Sequence, residues 1–157
     1  MTVSPSDHGP GGAAELLDVV VRLNRWVTHH SDWALPLAQV RVLSQIDEWG
    51  QARTGDLARV EHCSQPTMTT RVQRLQARGW VARASDPLDA RATMLTLTEE
   101  GRAVLADARA TRARVLQALM AHMDAPERER VQAATRTLGA LLEIAYANHR
   151  HEQNKTS

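Results

Sequence analysis

The sequence has one cysteine, no phenylalanine, one tyrosine and a single lysine among nineteen basic residues. A lone Cys63 excludes an intrachain disulfide and fits a reducing compartment. Without Phe, aliphatic side chains and four Trp must fill the interior. No apolar run approaches the ~20 residues that span a bilayer, and the opening MTVSPSDHGPGG lacks the basic and apolar regions of a signal peptide. A cytoplasmic protein with no membrane partner is expected. The net charge is +1, which by itself says nothing about nucleic acid. There is no nucleophile–base–acid set, no phosphate-cradling glycine loop and no diagnostic Cys/His spacing, so neither an enzyme nor a bound metal or cofactor is expected. The adjacent His29 and His30 point to different sides of a helix and cannot chelate together as an i, i+4 pair could.

What is present is a soluble globular composition, 43% hydrophobic and 24% charged, in 157 residues: one domain, or two small subdomains sharing a core. The stretch Ser64 to Arg91 organises it. Ser64 to Gly79 reads as one helix, with Ser64 as N-cap, Pro66 in the first turn and Gly79 as a left-handed terminator. Met68, Val72, Leu75 and Gly79 fall on one face, which must enter a core. The remaining circumference carries Thr67, Thr69, Thr70, Arg71, Gln73, Arg74 and Arg78, with no carboxylate between Ser64 and Arg83. Hydroxyl and amide groups can meet base edges in a DNA major groove while guanidinium groups meet phosphates. A solvated amphipathic helix is the plain alternative.

The residues after the helix favour DNA. Trp80 to Ala84 and Thr93 to Leu97 read as two strands, and Asp86-Pro-Leu-Asp-Ala-Arg91 as the tip of a long hairpin between them. From Thr54 to Ala92 there are six Arg against four acids. Helix, strand, loop and strand make a winged helix. The recognition-helix run Ser64 to Leu75, the link Ala77-Arg-Gly-Trp-Val81, the wing and Leu97-Thr-Glu-Glu-Gly101 together resemble the MarR family of transcriptional regulators, over roughly residues 13 to 148.

Before this unit, residues 1–12 read as a disordered tail and 13–33 as a first helix with a broad apolar face. Pro36 opens a second helix carrying Leu37, Val40, Leu43, Ile46 and Trp49, which Gly50 ends; Thr54 caps a third, holding Leu57 and Ala58. Residues 36–98 form the winged helix-turn-helix. After it, Thr98 caps a long helix whose buried side is Val104, Ala108, Thr111, Val115, Leu119 and Met123. Asp124 and Glu127 form a capping box that starts a last helix, so 99–148 holds two helices, and 149–157 is a polar tail. The expected fold is mainly α: six helices with a two-stranded β-wing, homodimeric through the N- and C-terminal helices, as the family resemblance also implies.

The resemblance implies a DNA contact set of Ser64, Gln65, Pro66, Thr67, Thr69, Thr70, Arg71, Gln73 and Arg74 on the helix and Asp89 and Arg91 in the wing. We assign Gln65, Thr69 and Thr70 to base edges and Arg71 and Arg74 to phosphates. The family often has Arg where this chain has Thr70, and here Arg follows one residue later, so either Thr70 or Arg71 can read bases. Leu88 replaces a usual second basic residue of the wing, leaving Arg91 as the guanidinium for the minor groove or for an Asp–Arg clasp. The family also implies a small aromatic or phenolic effector, for which Trp26, His30, Trp33, Leu37 and Arg41 are candidates, with core filling as their alternative role. Cys63 sits at the helix-turn-helix turn and reads as a packed thiol rather than a redox sensor. The function expected is a dimeric regulator, in the form of a repressor, that binds a pseudo-palindromic site in double-stranded DNA and is released by its effector. The alternative is a winged-helix protein-interaction module without sequence-specific DNA binding.

Overall fold

The computed structural model describes residues 10–32, 35–85 and 93–155. The element order is α1 (Pro10–His29), α2 (Leu37–Trp49), α3 (Thr54–Val60), α4 (Gln65–Ala77), β1 (Val81–Ser85), β2 (Thr93–Leu97), α5 (Glu99–Met120) and α6 (Ala125–Lys155). Two compact units divide the chain after Val115.

In the first unit, α2, α3, α4, the sheet and the start of α5 enclose one core. Its fully buried side chains are Val42, Leu43 and Ile46 of α2, Leu57 of α3, Met68, Val72 and Leu75 of α4, Leu95 of β2 and Leu105 of α5. The core is aliphatic plus one methionine. The three described Trp residues do not fill it as expected: Trp26 is exposed, and Trp49 and Trp80 are half-buried at its margin. A rigid indole fits the rim of so small a core, where one edge packs and the other stays wet.

Both ends of α4 are locked by its sequence. The Ser64 Oγ accepts from the Thr67 N–H at 3.3 Å, and Pro66 occupies the first turn. At the other end the Trp80 N–H reaches the Leu75 carbonyl at 3.0 Å and the Gly79 N–H reaches Gln76 at 2.9 Å, a Schellman closure with Gly79 at φ 75°. Gly79 therefore terminates the helix and is exposed; it does not extend the inward face. Helix α3 also starts differently: Arg53 is its extended N-cap residue and Thr54 lies inside the first turn.

Strands β1 and β2 pair antiparallel with Val81 opposite Leu97 and Arg83 opposite Leu95. A one-residue bridge adds a third line to this sheet: Ala52 and Leu95 exchange both backbone hydrogen bonds, at 3.0 and 2.8 Å. Helix α5 opens on Thr98, whose Oγ accepts from the Gly101 N–H at 3.0 Å and donates to the Gly79 carbonyl at 2.6 Å. One hydroxyl thus caps α5 and ties it to the end of α4.

In the second unit α6 begins with a reciprocal capping box. The Asp124 N–H donates to Glu127 at 2.9 Å and the Glu127 N–H donates to Asp124 at 2.7 Å. The helix continues to Lys155, and α1 begins at Pro10, so parts of both segments read as tails are helical. No Gly or Pro interrupts α6 beyond residue 148. No helix among the described residues is long and apolar enough to cross a membrane.

Candidate nucleic-acid interface

With Met68, Val72 and Leu75 fully buried, the opposite side of α4 faces solvent. Ser64, Gln65, Pro66, Thr67, Thr70, Gln73 and Arg74 are all exposed. The side chains of Gln73 and Arg74 have no partner among the described residues, so each can offer its full hydrogen-bonding capacity outward. Thr70 donates its hydroxyl hydrogen to the Pro66 carbonyl at 3.1 Å, which fixes its rotamer and leaves the oxygen free to accept. Thr69 donates likewise to Gln65 at 2.9 Å but is half-buried.

Arg71 also differs from its exposed neighbours. It is half-buried and points back along the helix to the Cys63 Sγ, 4.0 Å from its guanidinium. Cys63 itself is half-buried against the core and its thiol is unbridged.

Other arginines on this side are already engaged. Arg78 donates to the buried Gln39 Oε1 at 3.1 Å and lies 4.8 Å above the Trp80 ring. Arg83 donates to Gln76 at 3.0 Å, which joins β1 to α4. Arg59 pairs with Asp56 at 2.8 Å. Among Arg71, Arg74 and Arg78, Arg74 is the one whose guanidinium has no hydrogen-bond partner among the described residues. Asp89 and Arg91 of the wing lie outside the described residues.

Of the expected effector residues, Trp26, His30, Leu37 and Arg41 are described, and none of them lines the cavity beside Trp80. Trp26 and His30 stack with their rings 3.9 Å apart, Leu37 is exposed, and Arg41 pairs with Glu61 at 3.0 Å. Trp33 lies outside the described residues. That cavity, of about 250 Å³, is walled by Leu35, Trp80, Val104 and Ala108 with Thr111, and bears the carboxylates of Asp32 and Asp107. Sequence reading placed Val104, Ala108 and Thr111 on the inner side of α5 but had no signal for the two aspartates, which lie far apart in the chain. Among the described residues no group of three or more His, Cys, Asp or Glu is placed to hold a metal ion.

A model of the MarR family matches residues 35–93, the segment that runs from α2 through the wing. An HTH-type transcriptional regulator of Mycobacterium tuberculosis is 28% identical over 132 residues, spanning 83% of this chain and 92% of the relative. Among solved structures, a putative transcriptional regulator from Pseudomonas aeruginosa superposes with TM-score 0.66 at 28% identity, covering 88% of this chain and 99% of that one. A transcriptional regulator from Thermotoga maritima gives TM-score 0.68 at 22% identity with the same two coverages.

Proposed function

We propose that this chain, whose residues 35–93 match a model of the MarR family, is a homodimeric winged-helix repressor that reads a pseudo-palindromic operator and is released by a small-molecule effector. The observation that carries this reading is the outward side of α4. Gln65, Thr70 and Gln73 are exposed there beside an unpaired Arg74, on a helix held at both ends by its cap and its Schellman closure. A rigid helix of this kind places its side chains in a groove without ordering cost at the moment of binding.

Within that face, Thr70 and Gln73 suit base edges and Arg74 suits a phosphate. The half-burial of Arg71 against Cys63 favours Thr70 over Arg71 for base contact. Arg91, with Asp89 beside it in sequence, is the wing's contact to the minor groove. The exposed apolar residues of α1 and α6 support the dimer, which would carry two recognition helices to successive half-sites about one helical turn apart.

Selection of bound fragments from genomic DNA by the purified protein tests the function. Recovery of one palindromic motif, bound with an affinity that falls steeply with salt, is the expected result. Unselective recovery, or no shift at low salt, would refute it.

A further inference from the structure

The cavity beside Trp80 has a chemistry of its own. Leu35, Val104, Ala108 and the indole of Trp80 give it apolar walls, and its described lining contains two carboxylates, Asp32 and Asp107, with no Lys, Arg or His. Both aspartates are exposed, and neither side chain has a hydrogen-bond or ion-pair partner among the described residues. Two unneutralised negative charges beside an apolar cavity repel an anion and attract a cation. At about 250 Å³ the space is smaller than the ~300–1,000 Å³ of sites for drug-sized ligands, so it suits a molecule with a single ring.

We propose that this cavity binds a small cationic aromatic molecule, an aryl-alkyl ammonium, with the ring against Trp80 and Val104 and the ammonium at Asp32 and Asp107. The ligand would rest on the residue that closes the recognition helix. Trp80 donates its N–H to Leu75 of α4 and lies under the Arg78 guanidinium, so displacement of its ring is felt at the end of that helix. Only this last consequence, an effect on DNA binding, rests on the regulator reading above.

The test uses the full-length protein and three probes that differ mainly in charge: 2-phenylethylammonium, 2-phenylethanol and phenylacetate, each titrated by calorimetry. The expected order is ammonium tightest, with phenylacetate at least tenfold weaker. In D32N/D107N, which breaks no contact seen within the described residues, ammonium affinity should fall at least tenfold while that of the alcohol stays within twofold. Equal or tighter binding of the alcohol or carboxylate overturns the proposal. So does binding of none of the three, or an ammonium preference that survives in D32N/D107N. Gel shifts without ligand are run in parallel: failure to bind any DNA there refutes the regulator reading and leaves the charge preference standing, whereas normal DNA binding with no ammonium preference refutes the cavity assignment alone.

Discussion

A β-carbon on Gly101 would stand 2.0 Å from the carbonyl oxygen of Trp80, so the first turn of α5 meets the link after α4 backbone to backbone. The same carbonyl accepts from the Thr98 N–H at 3.1 Å, and Thr98 also holds Gly79. The run Leu97-Thr-Glu-Glu-Gly101 is therefore a clasp: its threonine supplies the hydrogen bonds and its glycine supplies the clearance.

Gly101→Ala should destabilise the fold by at least about 2 kcal/mol, because overpacking costs roughly 1–3 kcal/mol even where flexible side chains can yield. Here the opposing atoms are backbone. In a chain of this size such a loss corresponds to roughly 4–8 °C in Tm. Urea and thermal unfolding measure it, and an unchanged midpoint would show that α5 can shift without cost.

How much of this was legible in advance depended on distance along the chain. The ends of α4 and the start of α6 could be read because a cap and its partner sit three residues apart, as in Ser64 with Thr67 and Asp124 with Glu127. The inner face of α4 followed from its spacing. The Ala52–Leu95 bridge could not be read, since one paired residue has no periodicity. Leu105, fully buried in α5, was passed over because the inward stripe was read through Val104 and Ala108. On the recognition helix the spacing identified the outward set but not the retreat of Arg71 toward Cys63, which depends on the fold of the preceding turn. The cavity was invisible because Asp32 and Asp107 are brought together only by packing.

Arg74→Ala should weaken binding to all DNA sequences alike and reduce the slope of log affinity against log salt by about 0.9, the value for one lost phosphate contact on duplex DNA. Thr70→Ala should instead change which bases are preferred, with a salt slope unchanged. Binding isotherms at several salt concentrations on the selected site and on a scrambled one separate the two. A sequence-specific defect in Arg74→Ala would mean that the helix lies in the groove with a different rotation.

Asp124→Ala removes the acceptor of the Glu127 N–H, one half of the reciprocal box at the head of α6. Loss of an N-cap side chain costs ~1 kcal/mol. The effect should appear as earlier fraying of α6, read as faster amide exchange over residues 125–130, while exchange in the buried core around Leu43 and Leu57 stays unchanged. Uniform loss of protection in both regions would show that the box supports more than its own helix.

The apolar side of α1 gives the most direct test of assembly. Leu17 is 65% and Val19 54% exposed, and Leu16, Val20, Val21, Leu23 and Trp26 are exposed beside them. Soluble monomers rarely present contiguous apolar patches larger than a few hundred Å². Burying a Leu or Val side chain is worth ~1.5–3 kcal/mol, so glutamates at Leu16 and Val20, four residues apart on one face, remove at least roughly 6 kcal/mol from a two-fold interface to which each protomer contributes both. At about 1.4 kcal/mol per tenfold, the dissociation constant should rise by more than about 10⁴. Sedimentation should show a two-chain particle for the natural protein and a single chain for L16E/V20E. Because these positions face solvent within one chain, the variant should keep its helical circular dichroism while losing tight operator binding, since one recognition helix cannot span two half-sites. A natural protein that sediments as one chain at micromolar concentration, or a variant that remains paired, would place the symmetry axis elsewhere and remove the geometric basis for reading a palindrome.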